Sequence, residues 1–401
     1  MARFAVDVTA CWRPQRVGML TVAVELTKAL VGARGDRGGA PGEGLRPAAA
    51  HGGRDQYTLL CSRERPPALA GLDCEAVLSP YRHELALKTR WLPTVEAQLD
   101  CDAILYPYWP SPPIRRRDAP PAAVFVHDLA FKLRPAEVPW QQRLYMGAVL
   151  GRSLRSAAAV LVPSEATRRD LLACYPVTGL KSKVHVVPEG VTLDAPPGPL
   201  PPQLEPGFIL AVGTIEPRKN YPRLLAAYRH LRRESVPLLL GDRPGVPELV
   251  IAGRPGWAYG DTLERIKAER GVRYLGHVDD ATLSALYRAA TILAFPSLYE
   301  GFGLPLLEAM AHGLPAVVGN AGALPDLAGD AAIVVDPEDV RSIATGLERL
   351  LGDASLRETL GAAGRQRAEE FTWERAAAKT RDVLRGIAVP GAAEPAGRTI
   401  S

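Results

Sequence analysis

The stretch Ile292-Leu-Ala-Phe-Pro-Ser-Leu-Tyr-Glu-Gly-Phe-Gly-Leu-Pro-Leu-Leu-Glu-Ala-Met-Ala-His312 decides how this chain folds. Its first four residues are an apolar run of buried-strand length. A turn at Gly301-Phe-Gly303 follows, then a helix over 304–312 with Pro305 near its first position, where a missing N–H costs nothing. Strand, glycine turn and helix in that order form the repeating unit of a parallel α/β sheet. The helix start offers backbone N–H groups without intrahelical partners and the positive end of a dipole, which suits a phosphate. Glu300 stands before that start and Glu308 about one turn inside it, so both reach one ligand. A carboxylate only accepts hydrogen bonds and can grip vicinal hydroxyls. Phosphate between two hydroxyl-bearing rings describes a sugar nucleotide. The plainer alternative is a surface helix start with two solvated glutamates.

The alternation extends in both directions. Upstream, strands are expected at 4–8, 57–61, 103–106, 122–127, 159–162 and 184–187, with helices at 21–31, 84–99, 140–156 and 165–173. Downstream, strands are expected at 209–212, 248–252, 273–275, 292–295, 316–318 and 332–335. Helices are expected there at 221–234, 262–270, 281–289, 304–312, 340–351, 355–370 and 372–387. Each half therefore reads as a Rossmann-like, doubly wound sheet with ligands at its strand ends. The run Ala195-Pro-Pro-Gly-Pro-Leu-Pro-Pro202 is stiff enough to separate them. The expected division is a first domain 1–194, a linker 195–206, a second domain 207–370, a helix 371–388 and a disordered tail 389–401. Residues 32–55 lack periodicity and are expected as a mobile loop.

A length of 401 residues exceeds what one core serves, which agrees with two domains. No apolar run approaches the roughly 20 residues of a membrane span. The first residues read as a strand and lack a signal-peptide core, so a cytoplasmic protein is expected. Five scattered cysteines without a C-x-x-C pair predict reduced thiols and no zinc site. Residues 1–190 hold 25 Lys+Arg against 18 Asp+Glu (+7), leaving 23 against 26 (−3) for the rest. Such a basic half suits an anionic membrane or acceptor, beside ordinary surface charge; with no single basic block, no nucleic-acid partner is expected.

The segment Pro296–Val318, with its two glutamates framing seven residues, resembles the E-x7-E signature of retaining, GT-B-fold glycosyltransferases of family 4. Phe208-Ile-Leu-Ala-Val-Gly-Thr-Ile-Glu-Pro-Arg-Lys-Asn220 is similar to that family's donor-phosphate loop. Val126-His-Asp128, Val162-Pro-Ser-Glu-Ala-Thr-Arg168, Val186-Val-Pro-Glu-Gly-Val191, Val250-Ile-Ala-Gly253, Val272-Arg-Tyr-Leu-Gly-His-Val278 and Phe371-Thr-Trp-Glu-Arg375 resemble further landmarks. The resemblance implies two Rossmann-like domains around a cleft, with the last helix crossing back onto the first domain. It implies that Gly213, Arg218 and Lys219 hold the donor phosphates; Asn220, by residue type and place, is expected to cap the helix that follows. Thr214 stands where many relatives carry Arg, and Arg218 is expected to supply that charge. Glu308 would take the ribose hydroxyls and Glu300 a sugar hydroxyl. Backbone N–H groups of Phe302, Gly303 and Leu304 would face phosphate or sugar, and His277 and Val278 the nucleobase. His127 would bond the sugar near its anomeric centre, with Asp128 orienting it or touching the acceptor.

Gly18 matches a glycine-rich loop at the phosphates, although Arg16-Val-Gly-Met-Leu20 has one glycine where relatives have two, and Met19 would shape the acceptor pocket. Asp100-Cys-Asp102 matches a D-x-D metal motif but precedes its strand, so no metal and no cofactor are expected beyond the nucleotide-sugar co-substrate. The segment 81–92 reads either as a basic, aromatic helix on lipid at the inner membrane face or as an ordinary helix covering the sheet. The function implied is transfer of a hexose, GDP-mannose favoured over UDP-sugars, to a glycan, lipid-linked or small-molecule acceptor. A GT-B-like sugar-nucleotide epimerase and a non-catalytic sugar-nucleotide-binding partner are the alternatives.

Overall fold

The structure is a computed structural model and describes residues 2–11, 18–32, 55–81, 83–108, 111–193, 196–234, 239–240, 243–257 and 259–388. Most of the expected loop 32–55, the first linker residue, the tail 389–401 and Arg16–Val17 lie outside the described residues.

Seven parallel strands form the first sheet: β1 (Arg3–Asp7), β2 (Gln56–Cys61), β3 (Glu75–Leu78), β4 (Ala103–Tyr106), β5 (Ala122–Phe125), β6 (Ala159–Val162) and β7 (Val184–Val186). Their spatial order is β3-β2-β1-β4-β5-β6-β7. β4, β5 and β6 are buried along their whole length because helices cover both faces, which is why they read as unbroken apolar runs. After β8 (Ile209–Val212) comes a small antiparallel hairpin of β9 (Leu239–Leu240) and β10 (Arg243–Pro244). The second sheet then adds β11 (Leu249–Ala252), β12 (Val272–Gly276), β13 (Ile292–Phe295), β14 (Ala316–Gly319) and β15 (Ile333–Val335), in the order β12-β11-β8-β13-β14-β15. In this sheet the winding reverses between β8 and β13. The loops after these two strands diverge there and leave a crevice, and they are the loops that carry Arg218, Lys219 and Glu300.

Edge strand β3 and the hairpin were not foreseen; both are short and only partly apolar. The helix expected over 84–99 is interrupted by a π-helical turn, Leu87–Trp91, where Leu92 N–H donates to Leu87 O. Pro93 lies just beyond and cannot donate, so the ladder widens there. Of the two readings of this segment, the helix covering the sheet is the one the packing supports: Leu87, Lys88, Trp91 and Leu92 are buried, and Lys88 pairs with Glu84 at 3.1 Å. Asp102 accepts from Arg3 N–H at 2.7 Å and Asp100 pairs with the Arg3 guanidinium, so both brace the start of β1. The five cysteines are free thiols; burial pushes Cys61 and Cys101 up to about 12.

The two sheets are tied where the chain crosses between them. The linker lies against the second half: Gly198 N–H donates to Ala281 O at 3.0 Å, and Leu204 is buried in that half's core. The last helix, Trp373–Ile387, returns to the first sheet and buries Trp373, Ala376, Ala377 and Leu384 in the core that holds Phe4, Val6 and Leu26. Arg385 pairs with Asp55 at 2.9 Å. Outgoing and returning strands of chain touch: Trp373 Nε1 donates to Thr192 Oγ1 at 2.9 Å, and Val191 N–H donates to Phe371 O at 3.2 Å. Gly190 is required there because a Cβ would lie 2.3 Å from the Trp373 backbone nitrogen. Gly190→Ala is therefore expected to destabilise the protein by about 1–3 kcal/mol, read as a lower melting temperature.

Candidate active site

The loop after β8 is pinned before it presents anything. Pro217–Lys219 make one 3-10 turn, and Asn220 takes a left-handed conformation at φ 62°. Its Nδ2 donates to Pro296 O at 2.9 Å and Pro337 O at 2.6 Å. Asn220 thus braces the loops after β13 and β15; instead of capping a backbone N–H of the helix Tyr221–Glu234 as the sequence suggested, its Oδ1 accepts from the Arg223 guanidinium at 3.1 Å, and its carbonyl accepts from Leu224 N–H at 3.1 Å. Held in this way, Arg218 and Lys219 face the loop after β13. Arg218 Nη1 lies 2.7 Å from Glu300 Oε2, Arg218 Nε 2.6 Å from Glu216 Oε1, and Lys219 Nζ 2.5 Å from Glu300 Oε1. Lys219 also stands 4.7 Å above the Phe295 ring.

Two cations and two carboxylates thus share a buried cluster. Burial would raise the Glu300 carboxyl, but Arg218 and Lys219 outweigh it and hold it at about 2. For Glu216 burial wins and raises the carboxyl despite the same neighbours. Burial lowers Lys219, with Glu300 opposing it. Sequence reasoning passed over Glu216, although it stands in the same Glu-Pro-Arg-Lys-Asn segment.

The Glu300 loop also joins the two sheets. Gly301 O accepts from Ser164 Oγ at 2.7 Å and Thr167 Oγ1 at 3.0 Å, both from the first half. Tyr299 OH donates to Asp170 Oδ2 at 2.9 Å. A Cβ on Gly301 would lie 2.0 Å from His127 O, so only glycine permits this approach. Past the turn, Gly303 has φ 114° and starts the helix Leu304–His312, whose first carbonyl partner is Gly303 O. Phe302, Gly303 and Leu304 thus stand at the helix start beside Glu300.

His127 ends β5's run at this junction, 6% exposed and stacked on Phe125. Its Nε2 lies 2.8 Å from Pro107 O, an acceptor only, so Nε2 carries a proton. Its Nδ1 lies 3.3 Å from Glu189 Oε1. Both ring nitrogens are thus engaged within the protein, and the His127 backbone carbonyl is the atom nearest the Gly301 turn. Glu189 is a partner that sequence reasoning missed; burial raises its carboxyl, with His127 opposing. Asp128 Oδ1 accepts from Ala130 N–H at 3.0 Å, which orients the start of helix Ala130–Leu133 and leaves His127 to Glu189.

Glu308 is not with this cluster. Its Oε2 accepts from Tyr287 OH at 2.7 Å, and it lines a hollow of about 120 Å³ together with Thr21, Glu25, Thr192, Asp280 and Trp373. Lys219, Arg218 and Glu300 do not line that hollow. The turn Gly301–Gly303 stands between the ion-paired cluster of Arg218, Lys219 and Glu300 and the hollow that Glu308 lines. The two regions adjoin through Leu304, which lines the hollow at the helix start. Gly18 precedes the helix Met19–Val31 that supplies Thr21 and Glu25, and Met19 is 37% exposed. Gly213 backs Lys219, since a Cβ there would lie 3.2 Å from Lys219 Cε. His277 and Val278 follow β12 at the edge of the second sheet, and Val278 packs against the core that holds Phe295 and Phe302. Burial raises the Glu308 carboxyl to about 7, with the Tyr287 hydroxyl opposing.

Two family patterns match this chain: Glycosyltransferase Family 4 over residues 51–195 and Glycosyl transferases group 1 over residues 198–367. The O-antigen chain mannosyltransferase B of Escherichia coli is 36% identical over 275 residues, 65% of this chain and 68% of that protein. Sucrose-phosphate synthase from Thermosynechococcus elongatus superposes over 96% of this chain and 99% of its own with a TM-score of 0.68 at 20% identity. Anabaena HepE, solved in complex with UDP and glucose, superposes over 96% of this chain and 100% of its own with a TM-score of 0.66 at 15% identity. The two doubly wound sheets and returning helix are the GT-B fold, and the chain belongs to the group 1, family 4 glycosyltransferases.

Proposed function

We propose that this protein is a retaining glycosyltransferase that moves a hexose from a nucleoside-diphosphate sugar to an acceptor hydroxyl without a metal ion. The observation that carries the reading is the cluster of Arg218, Lys219 and Glu300 on the loop where the two sheets meet. A diphosphate reaching Arg218 and Lys219 must displace the Glu300 carboxylate. That exchange would free Glu300 to accept from a sugar hydroxyl while the cations take the phosphate charge that develops as the glycosidic bond breaks. The acceptor oxygen then attacks C1 on the face from which the diphosphate leaves, and a phosphate oxygen takes its proton. The hollow at Glu308 is smaller than the roughly 300–1,000 Å³ of small-molecule sites, so the sheets must part to admit a nucleotide and close again over it.

GDP-mannose is the favoured donor, supported by the mannosyltransferase relative and the Glu-Pro-Arg-Lys-Asn loop. Thermal-shift screening against nucleoside diphosphates and their sugars tests this, since the correct ligand raises the melting temperature by mass action. Product NMR should show the donor's anomeric configuration retained, and EDTA should leave turnover unchanged. Inverted product or a changed sugar in donor-only incubations would remove the reading.

Glu308 adds a pH signature. Its carboxyl, raised to about 7, must ionise before it can accept from both ribose hydroxyls. Donor affinity is expected to rise between pH 6 and 8 by about tenfold, and the slope should vanish in Glu308→Gln. Calorimetric titration at several pH values reads this directly. The stability sign is opposite: the fold prefers protonated Glu308, so this group withdraws stability as pH climbs from 4.5 to about 7.

A further inference from the structure

Four large apolar side chains stand exposed within a short segment: Leu133 at 43%, Trp140 at 60%, Leu144 at 61% and Tyr145 at 47%. The last three begin the helix Trp140–Ser156, which packs on the sheet only through its later turns, where Val149, Leu150, Ser153 and Leu154 are buried. Every residue from Trp140 to Tyr145 is exposed, so the helix start projects from the body and its apolar residues serve no core. Trp140, Leu144, Ala148, Arg152 and Arg155 follow at helical spacing, all exposed, giving a stripe apolar at the tip and cationic behind it. Residues 130–156 hold Lys132, Arg134, Arg143, Arg152 and Arg155 against Glu137 alone, a net +4, and Glu137 is already paired with Arg134 at 2.6 Å.

Trp and Tyr prefer the boundary between acyl chains and head groups, leucine the apolar side, and arginine the anionic head groups. Among the described residues, the carboxylates paired with this segment, Glu137 and Glu338, both lie against Arg134, at 2.6 and 3.9 Å. We propose that this stripe docks the protein on an anionic membrane. The segment begins directly after His127 and Asp128, and Trp257 from the second half donates to Glu137 O at 3.1 Å, so the docked face borders the interdomain cleft. Resting on the glycosyltransferase reading, this placement makes a lipid-linked saccharide the acceptor class. It differs from the segment 81–92, whose Trp91 and Lys88 side chains are buried.

Co-sedimentation with phosphatidylcholine vesicles, with and without phosphatidylglycerol, tests the docking independently of any transfer activity. The wild-type chain should sediment with the anionic vesicles and remain in solution with the neutral ones. Trp140→Ser with Leu144→Ser should lower the bound fraction about tenfold or more, with an unchanged melting temperature. Arg152→Glu with Arg155→Glu should abolish the preference for phosphatidylglycerol. Leu85→Ser with Ile114→Ser, which removes exposed side chains elsewhere, should bind as wild type. Undiminished sedimentation of the Trp140/Leu144 variant, or none by the wild type, overturns the proposal. So does a lipid-free dimer, seen by light scattering and lost in that variant, since a second copy would then cover the stripe. Failure here leaves the transfer reading standing, because that reading is judged on donor binding and product.

Discussion

Lys219→Met is expected to lower turnover about 10²–10³-fold while both sheets remain assembled. Lys219 reaches Glu300 with its ammonium and lies over Phe295, so methionine keeps most of the packing and removes only the charge. Glu300 then keeps Arg218 alone. A buried pair broken on one side costs about 3–5 kcal/mol, and the surviving Arg218 contact should place the loss at or below the low end of that range. Linkage gives the pH signature. Glu300 contributes stability above its unfolded value of 4.5, and this is lost as pH falls toward about 2. With Lys219 gone the carboxyl titrates higher, so the acid-unfolding midpoint should move to higher pH. Circular dichroism against pH, beside steady-state transfer assays, separates lost chemistry from lost fold. A folded variant with near-normal turnover would remove Lys219 from the phosphate site.

Much of this was legible because periodicity and turn chemistry are local. The run Ile292–Phe295, the Gly301–Gly303 turn and the helix Leu304–His312 fell where the pattern placed them, since apolar strand, positive-φ glycine and Pro305 each dictate their own conformation. The illegible parts depend on partners far away in the chain. Nothing local in Val187-Pro-Glu-Gly shows that Glu189 meets His127, 62 positions earlier, or that His127 is thereby closed on both nitrogens. Likewise Trp91 and Lys88 look like a basic aromatic face in sequence, and only the π-helical turn rotates them into the core. The separation of Glu308 from Lys219 had the same origin. Sequence spacing put both glutamates near one helix start, but the ion pairs across the β8 and β13 loops drew Glu300 to the cations and left Glu308 with Tyr287.

Gly301→Ala should show how far catalysis depends on the two sheets meeting. The Cβ it adds would lie 2.0 Å from His127 O and 2.9 Å from Asp128 Cβ, both from the first half. The clash is therefore between halves, and each half can fold around it. Relief requires the Tyr299–Gly303 loop to withdraw, which breaks the bonds from Ser164 and Thr167 to Gly301 O. A retreat of about 1 Å at a reacting centre costs on the order of 10²-fold in rate. Turnover should fall by that much. Nucleoside-diphosphate binding, which the proposed site assigns to the second half, should change less than threefold (~0.6 kcal/mol). Ser164→Ala is expected to be milder, since Thr167 still donates to the same carbonyl. Small-angle scattering should report a larger radius of gyration for Gly301→Ala than for wild type at saturating donor. Wild-type turnover together with an unchanged radius would show that the contact between His127 and Gly301 plays no part in the working closed state.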